Sequence, residues 1–240
     1  MIQVRHLNPD DVHQPDLIAQ LRSWLDESEI ARLQRFVKEE DRHRFLVSHA
    51  LKRCILAKHL DCDPKELTFG TTGRNKPVIL KPQRAHPLHF NLSHTRGLTV
   101  VAVSREPIGV DTESLARKAP STELATRYFT TAEQADIALA PETNQRFFTY
   151  WTLKEAYLKA EGWGIVDRLD GFEFELSPPT QWPPARIRLR VREGVHCPTR
   201  AWQFYQWQVA PHHLVSLAAC ARQALETAVD IGPWTRDDWC

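Results

Sequence analysis

The chain is 240 residues long, 42% apolar and 25% charged, a balance that supports a packed core and excludes a disordered protein. Its net charge of +1 gives no global field for nucleic acid or an anionic membrane, so any electrostatic role must come from local clusters. No apolar run approaches the ~20 residues of a membrane helix. MIQVRHL at the start does not resemble a signal peptide, and the five cysteines, with no CxxC spacing, read as reduced thiols. These features together place the protein in the cytoplasm.

In chain order, MIQVRHL reads as a strand, and Leu17 to Leu25 has helical spacing. A second helical segment begins at Asp26, Ser28 and Glu29 and runs through Arg32, Arg35 and Phe36. A longer helix is expected from about Glu40 to His59, with Phe45, Leu46, Ala50, Leu51, Cys54, Ile55 and Leu56 on its apolar side. From Arg32 to Lys58 there are eight Lys or Arg and three Asp or Glu, a local +5. Such a run is either a solvated helix face or a phosphate-binding surface.

Asp61 to Pro64 breaks that helix. Leu67 to Phe69, a turn at Gly73 to Pro77, and Val78 to Leu80 follow as short extended pieces. His89 to Leu92 is a strand that ends at Ser93 and His94, Thr95 to Gly97 is a turn, and LTVVAVS (98–104) is a β-branched strand. Ser93 and His94 therefore sit at a sheet end, as turn residues or as ligand-binding ones.

IGVDTE (108–113) is the next strand. Alternation puts Ile108, Val110 and Thr112 on one face, and Asp111 and Glu113 with Gly109 on the other. Two carboxylates about 7 Å apart on one face repel unless a cation lies between them. With no thiolate or imidazole beside them, these hard oxygens favour magnesium over zinc. A D-x-E also occurs on ordinary solvent faces. Here it lies on an apolar strand, beside a glycine that permits close approach of a ligand.

A polar connection from Ser114 to Thr122 leads to an expected helix over Glu123–Phe129. Thr130 to Glu133 then caps another, and Pro141-Glu142-Thr143 closes a loop. FFTYWTLKEAYLKAEGWG (147–164) is apolar almost all round when wound as a helix, which marks a buried helix, and Gly162 and Gly164 stop it. One polar stripe crosses it, made of Thr152, Glu155 and Lys159 at spacings of three and four. A single internal ion pair would satisfy that stripe; so would a charged ligand. Phe172–Leu176, Ile187–Val191, Trp202–Val209 and Leu214–Ala219 read as strands, and Leu225 to Cys240 as a polar tail.

The two long helices align at an offset of 102: Arg44 with Arg146, Phe45 with Phe147, Leu51 with Leu153, Lys52 with Lys154 and Leu56 with Leu158. The order of elements repeats too, ending on LTVVAVS in one half and LVSLAAC in the other. The expected fold is α+β: two similar halves related by pseudo-twofold symmetry, each with an antiparallel sheet against a long helix. The halves are residues 1–106 and 107–226, followed by a tail at 227–240.

Lys76-Pro77, FNLSH ending at His94, IGVDTE and WTLKEAYLK, in that order, resemble the 4′-phosphopantetheinyl transferases, specifically the monomeric two-lobed type that activates carrier proteins. The resemblance runs by motif from Arg32 to Gly164. It implies a magnesium site from Asp111, Glu113 and Glu155, with Lys159 on the pyrophosphate of coenzyme A. Arg44, Lys76, Pro77, Ser93 and His94 bind the phosphate and adenosine end in the same reading, with Arg32 beside them. The implied reaction moves phosphopantetheine from coenzyme A to a serine of an acyl or peptidyl carrier protein, with Glu155 as proton acceptor. Asn75 stands where the family has glycine, and Glu29 where relatives carry lysine. Other readings of the same residues are a non-catalytic module that holds coenzyme A or a carrier, and a magnesium-dependent phosphohydrolase. The chain has no P-loop to favour the last.

Overall fold

β1 (Ile2–Leu7) is buried on both faces, Ile2 and Val4 on one and Leu7 on the other, against the core of the long helix. The computed structural model describes residues 1–73, 75–119, 128–163, 171–191, 200–209, 212–221 and 228–240. They fall into two units, residues 1–105 with 228–240, and residues 106–227.

In the first unit, β1 is followed by α1 (Pro15–Ser23), α2 (Glu27–Gln34) and α3 (Glu39–Leu60). A ribbon of β2 (Thr68–Thr71) and β3 (Pro77–Lys81) and a hairpin of β4 (His89–Thr95) and β5 (Leu98–Ser104) come next. α2 starts at a capping box: Asp26 accepts from the Glu29 N–H at 2.9 Å, and the Glu29 side chain accepts from Asp26 N–H. α3 stops where Asp61 turns left-handed, at φ 49°. Phe45, Leu46, Ala50, Leu51 and Ile55 of α3 form the core with Phe90, Val101 and Val103 of the sheet.

Three expectations about this unit are corrected. Lys52 and Arg53, counted in the basic run, are buried: Lys52 Nζ lies 2.7 Å from Glu29 Oε1, and Arg53 Nε 2.6 Å from Glu29 Oε2. Two of the eight cations therefore neutralise Glu29 inside the fold, and Glu29 is a core ion-pair partner. Cys54 and Cys240 form a disulfide, with Cα atoms 5.9 Å apart across 186 residues of sequence, so not all thiols are reduced. Cys62 and Cys220 remain thiols, and Cys197 lies outside the described residues. The polar tail is a working part of the unit. β11 (Val229–Pro233) pairs parallel with β1, giving a sheet of order β11-β1-β5-β4, and Trp234 and Trp239 pack on the core of the first unit.

The second unit contains β6 (Ile108–Ser114), α4 (Thr131–Leu139), α5 (Thr143–Glu161), a ribbon of β7 (Phe172–Leu176) and β8 (Ile187–Val191), and a hairpin of β9 (Ala201–Val209) and β10 (His213–Ala221). Its sheet order, β6-β10-β9, repeats β1-β5-β4 of the first unit. α5 packs on β6 and β10 and ends at Gly162, whose φ of 75° suits glycine. Gly164 and most of the helix expected over Glu123–Phe129 lie outside the described residues.

A shared device holds the long helix of each unit. α4 also opens on a capping box, Thr130 with Glu133, and buried Glu133 pairs with fully buried Lys154 of α5 at 2.7 Å. Glu29 and Lys52 are the same pair in the first unit. Each buried charge is thereby neutralised and hydrogen-bonded, which burial requires.

Candidate active site

β6 comes unusually close to α5. A Cβ at Gly109 would lie 3.0 Å from Ala160 Cα, and nearer still to the Ala156 carbonyl oxygen and the Ala160 nitrogen. The glycine expected to admit a ligand therefore admits the helix backbone. Asp111 and Glu113 share the Gly109 face of β6. Glu155 and Lys159 each immediately precede one of the alanines that Gly109 touches.

This approach joins strand and helix charges. Lys159 Nζ lies 2.5 Å from Asp111 Oδ1, while Arg117 Nη1 reaches both Glu113 oxygens, at 3.0 and 3.1 Å. Glu155 is 3% exposed, and its Oε1 is buried with no hydrogen-bond partner among the described residues. Burial and the neighbouring Asp111 push the Glu155 carboxyl up to about 7, with Glu113 adding and Lys159 opposing. Glu113 is raised as well, first by burial and then by Asp111. Asp111 thus acts on both glutamates, which places the three carboxylates near one another. Among the described residues no group of three His, Cys, Asp or Glu is drawn in tightly enough to hold a metal as it stands. Lys159 and Arg117 supply the positive charge. The donor set is all hard oxygen, and one buried oxygen has no proton to accept, so these residues fit a divalent cation of the magnesium type.

The other candidate residues belong to the first unit. Arg44, on α3, is held by Asp41 at 2.9 Å. Lys76 is half-buried and Pro77 exposed, at the turn of the β2–β3 ribbon, where Thr72 N–H donates to the Lys76 carbonyl at 2.9 Å. Asn75, in the glycine position of the motif, has φ 62°, a left-handed conformation that asparagine tolerates best after glycine. Ser93 is buried and His94 exposed near the end of β4. Successive strand residues face opposite sides, so these two are not a dyad. Arg32 lines an open cleft of about 660 Å³ with Ser28, Arg35 and Phe36.

Sequence reasoning missed Arg117, whose signal is its spacing of four from Glu113, and Lys154, whose partner lies in a separate capping box. No described helix is long and apolar enough to cross a membrane.

Comparison with known families matches residues 107–220 to the 4′-phosphopantetheinyl transferase superfamily and residues 13–106 to the 4′-phosphopantetheinyl transferase N-terminal family. The chain is 36% identical to 4′-phosphopantetheinyl transferase HetI of Nostoc over 75% of its own length and 78% of that protein. It is 31% identical to 4′-phosphopantetheinyl transferase Sfp of Bacillus subtilis over 66% of its length and 70% of that protein. Against 4′-phosphopantetheinyl transferase psf-1 of Bacillus pumilus the identity is 32%, covering 77% of each chain. The chain belongs to the 4′-phosphopantetheinyl transferase family.

Proposed function

We propose that the chain moves the 4′-phosphopantetheine of coenzyme A onto a serine hydroxyl of an apo acyl or peptidyl carrier protein, in a magnesium-dependent reaction that releases 3′,5′-ADP. The observation that carries this reading is the junction of β6 and α5. There Lys159 meets Asp111 at 2.5 Å, and Glu155 lies buried with a carboxylate oxygen that has no hydrogen-bond partner among the described residues.

Bound magnesium would be held by Asp111, Glu113 and Glu155 and would neutralise charge on the pyrophosphate. Lys159 faces the same phosphate oxygens and stabilises the charge that builds on them as the serine oxygen attacks the β-phosphorus. Glu155, whose buried Oε1 has no partner among the described residues, takes the serine proton. The leaving 3′,5′-ADP carries away the other side of the broken P–O bond. Arg44, Lys76, Pro77, Ser93 and His94 hold the phosphate and adenosine end of coenzyme A, with Arg32 at its open cleft, through the charge-assisted contacts that phosphate favours.

In this reading the two units are halves related by a pseudo-twofold axis, supported by the repeated sheet order and the repeated Glu–Lys pair. The protein acts as a cytoplasmic monomer on a separate carrier. The test incubates it with apo carrier, coenzyme A and magnesium and reads the carrier's intact mass. A magnesium-dependent phosphopantetheine adduct, absent when the carrier serine is alanine, is the expected result. Release of 3′,5′-ADP at the same rate without carrier would instead identify a hydrolase.

A further inference from the structure

Thr152 of α5 lies three residues before Glu155 and is 0% exposed. Its hydroxyl donates to the Phe148 carbonyl at 2.8 Å and meets Ser216 Oγ at 2.7 Å. Ser216 stands in β10 directly opposite Asp111 on one side and Gln206 of β9 on the other. Directly opposed residues of antiparallel strands share a face, so Asp111, Ser216 and Gln206 form one row across the sheet, on the side that α5 covers. Gln206 Nε2 donates to Ser216 Oγ at 2.7 Å and to the Thr149 carbonyl at 3.1 Å. Since Thr152 gives its proton to Phe148, Ser216 donates to Thr152 and accepts from Gln206, and every proton of the chain has a place.

The first unit carries a comparable hydroxyl pair without the carboxylates, its helix member two residues earlier by the offset of 102. Ser48 of α3 meets Thr99 of β5 at 2.6 Å, both 0% exposed. Thr99 is flanked by Leu7 where Ser216 has Asp111, and by His94 where Ser216 has Gln206. The pair is thus a common fastening between long helix and sheet, and only the second unit sets it beside acidic groups. Apart from the ion pairs of Arg146, Lys154 and Lys159, the α5 contact is largely Phe, Leu, Tyr and Ala packing, which is non-directional. A hydrogen bond has a defined length and direction.

We infer that Thr152, Ser216 and Gln206 are positioning residues that fix the height and rotation of α5 over the sheet, and so set the span between Asp111 and Glu155. This rests on the reading of those two carboxylates as metal and reaction groups. The experiment compares Thr152→Val, which keeps the shape and removes the hydroxyl, with Thr152→Ser, which restores it. Magnesium affinity is measured by calorimetry on the coenzyme A-free protein, and kcat and KM are measured with carrier. A displaced carboxylate is costly because misplacement of about 1 Å loses on the order of a hundredfold in rate. Thr152→Val is expected to weaken magnesium binding and lower kcat by about tenfold each. The KM for coenzyme A should stay within about twofold, and Thr152→Ser should recover both losses.

A folded Thr152→Val that melts earlier but keeps wild-type magnesium affinity and kcat would reduce the row to packing and overturn the inference. Should Thr152→Val fail to fold, Gln206→Met, which removes only the amide, is read by the same two measurements. A wild-type protein that binds magnesium but transfers nothing would defeat the proposed function, while the affinities still decide the role of the row. One that does neither overturns both.

Discussion

Gly109 and Ala156 touch through their backbones: a methyl group on Gly109 would overlap the Ala156 carbonyl oxygen. Gly109→Ala must therefore push β6 and α5 apart. Overpacking of this kind costs about 1–3 kcal/mol, and here it also separates Asp111 from Lys159. The expected result is a lower urea midpoint together with a transfer rate reduced by more than the stability loss explains. Wild-type transfer in a folded Gly109→Ala protein would show that the close approach does not set the site.

Asp111→Asn keeps the shape of the side chain and removes the charge that Lys159 Nζ meets. Loss of a preorganised electrostatic partner costs about 10²–10³ in rate, so transfer should fall by that order while circular dichroism and melting temperature stay near wild type. Undiminished turnover at limiting magnesium would remove Asp111 from the proposed metal set.

Lys154, five residues before Lys159, should behave in the opposite way. It is fully buried against Glu133, and removing one member of a buried pair costs about 3–5 kcal/mol. Lys154→Met is expected to lower the unfolding free energy by that amount, with kcat per folded molecule changed less than about threefold. A variant with intact stability and lost turnover would move Lys154 into the reaction.

Acid stability should depend on His49. Burial lowers the His49 imidazole to about 4, against partial compensation from Glu29, whose Oε1 lies 2.6 Å from Nδ1. An imidazole depressed in the fold and ordinary in the unfolded chain makes the unfolded state bind the extra proton. Stability is then lost as pH falls from about 6.5 toward 4, at up to about 1.4 kcal/mol per pH unit. Burial alone would raise Glu29, but His49 and Lys52 outweigh it and hold it well below the carboxylate range, so its contribution is lost at still lower pH. His49→Gln should flatten the slope of unfolding free energy between pH 6.5 and 4. Equal slopes for the two proteins would contradict the assignment.

Lys76→Ala and Arg44→Ala test the coenzyme A contacts. A charge-assisted bond to phosphate contributes about 1.5–3 kcal/mol, so each change should raise the KM for coenzyme A about tenfold or more. Their kcat should change much less. A variant that uses coenzyme A and its 3′-dephosphorylated form as well as wild type does would exclude that residue from phosphate binding.

The elements that follow a short period were legible in the sequence. The stripe of Thr152, Glu155 and Lys159 and the alternation of Gly109, Asp111 and Glu113 are local, and strand and helix geometry alone place their side chains. Gly109 could be singled out but not explained, since what approaches it is a helix that begins 34 residues later. Lys52 counts toward a basic run and Lys154 carries no assignment, because their carboxylates lie in separate capping boxes and nothing local to the long helices announces that pairing. Cys54 and Cys240 are 186 residues apart, and the tail reads as polar because few of its described residues, Trp234, Trp239 and the bridged Cys240 among them, turn toward the core. Such long-range facts depend on topology, which the local pattern does not encode.

The sheet of the first unit is finished out of order. Gln3 of β1 pairs with Val103 of β5 on one side and Asp230 of β11 on the other. The chain therefore leaves this sheet and rejoins it two strands away, a gap of about 10 Å. Residues 106–227 are a guest spliced into a host, and an excursion across so short a gap strains nothing, because closure entropy grows only with the logarithm of loop length. On the ribosome, β1 must wait with one edge bare until the entire guest has emerged. The host's last strand, its pair of tryptophans and its bridge to Cys54 arrive together only after the guest, so the unit that is begun before the other is completed after it.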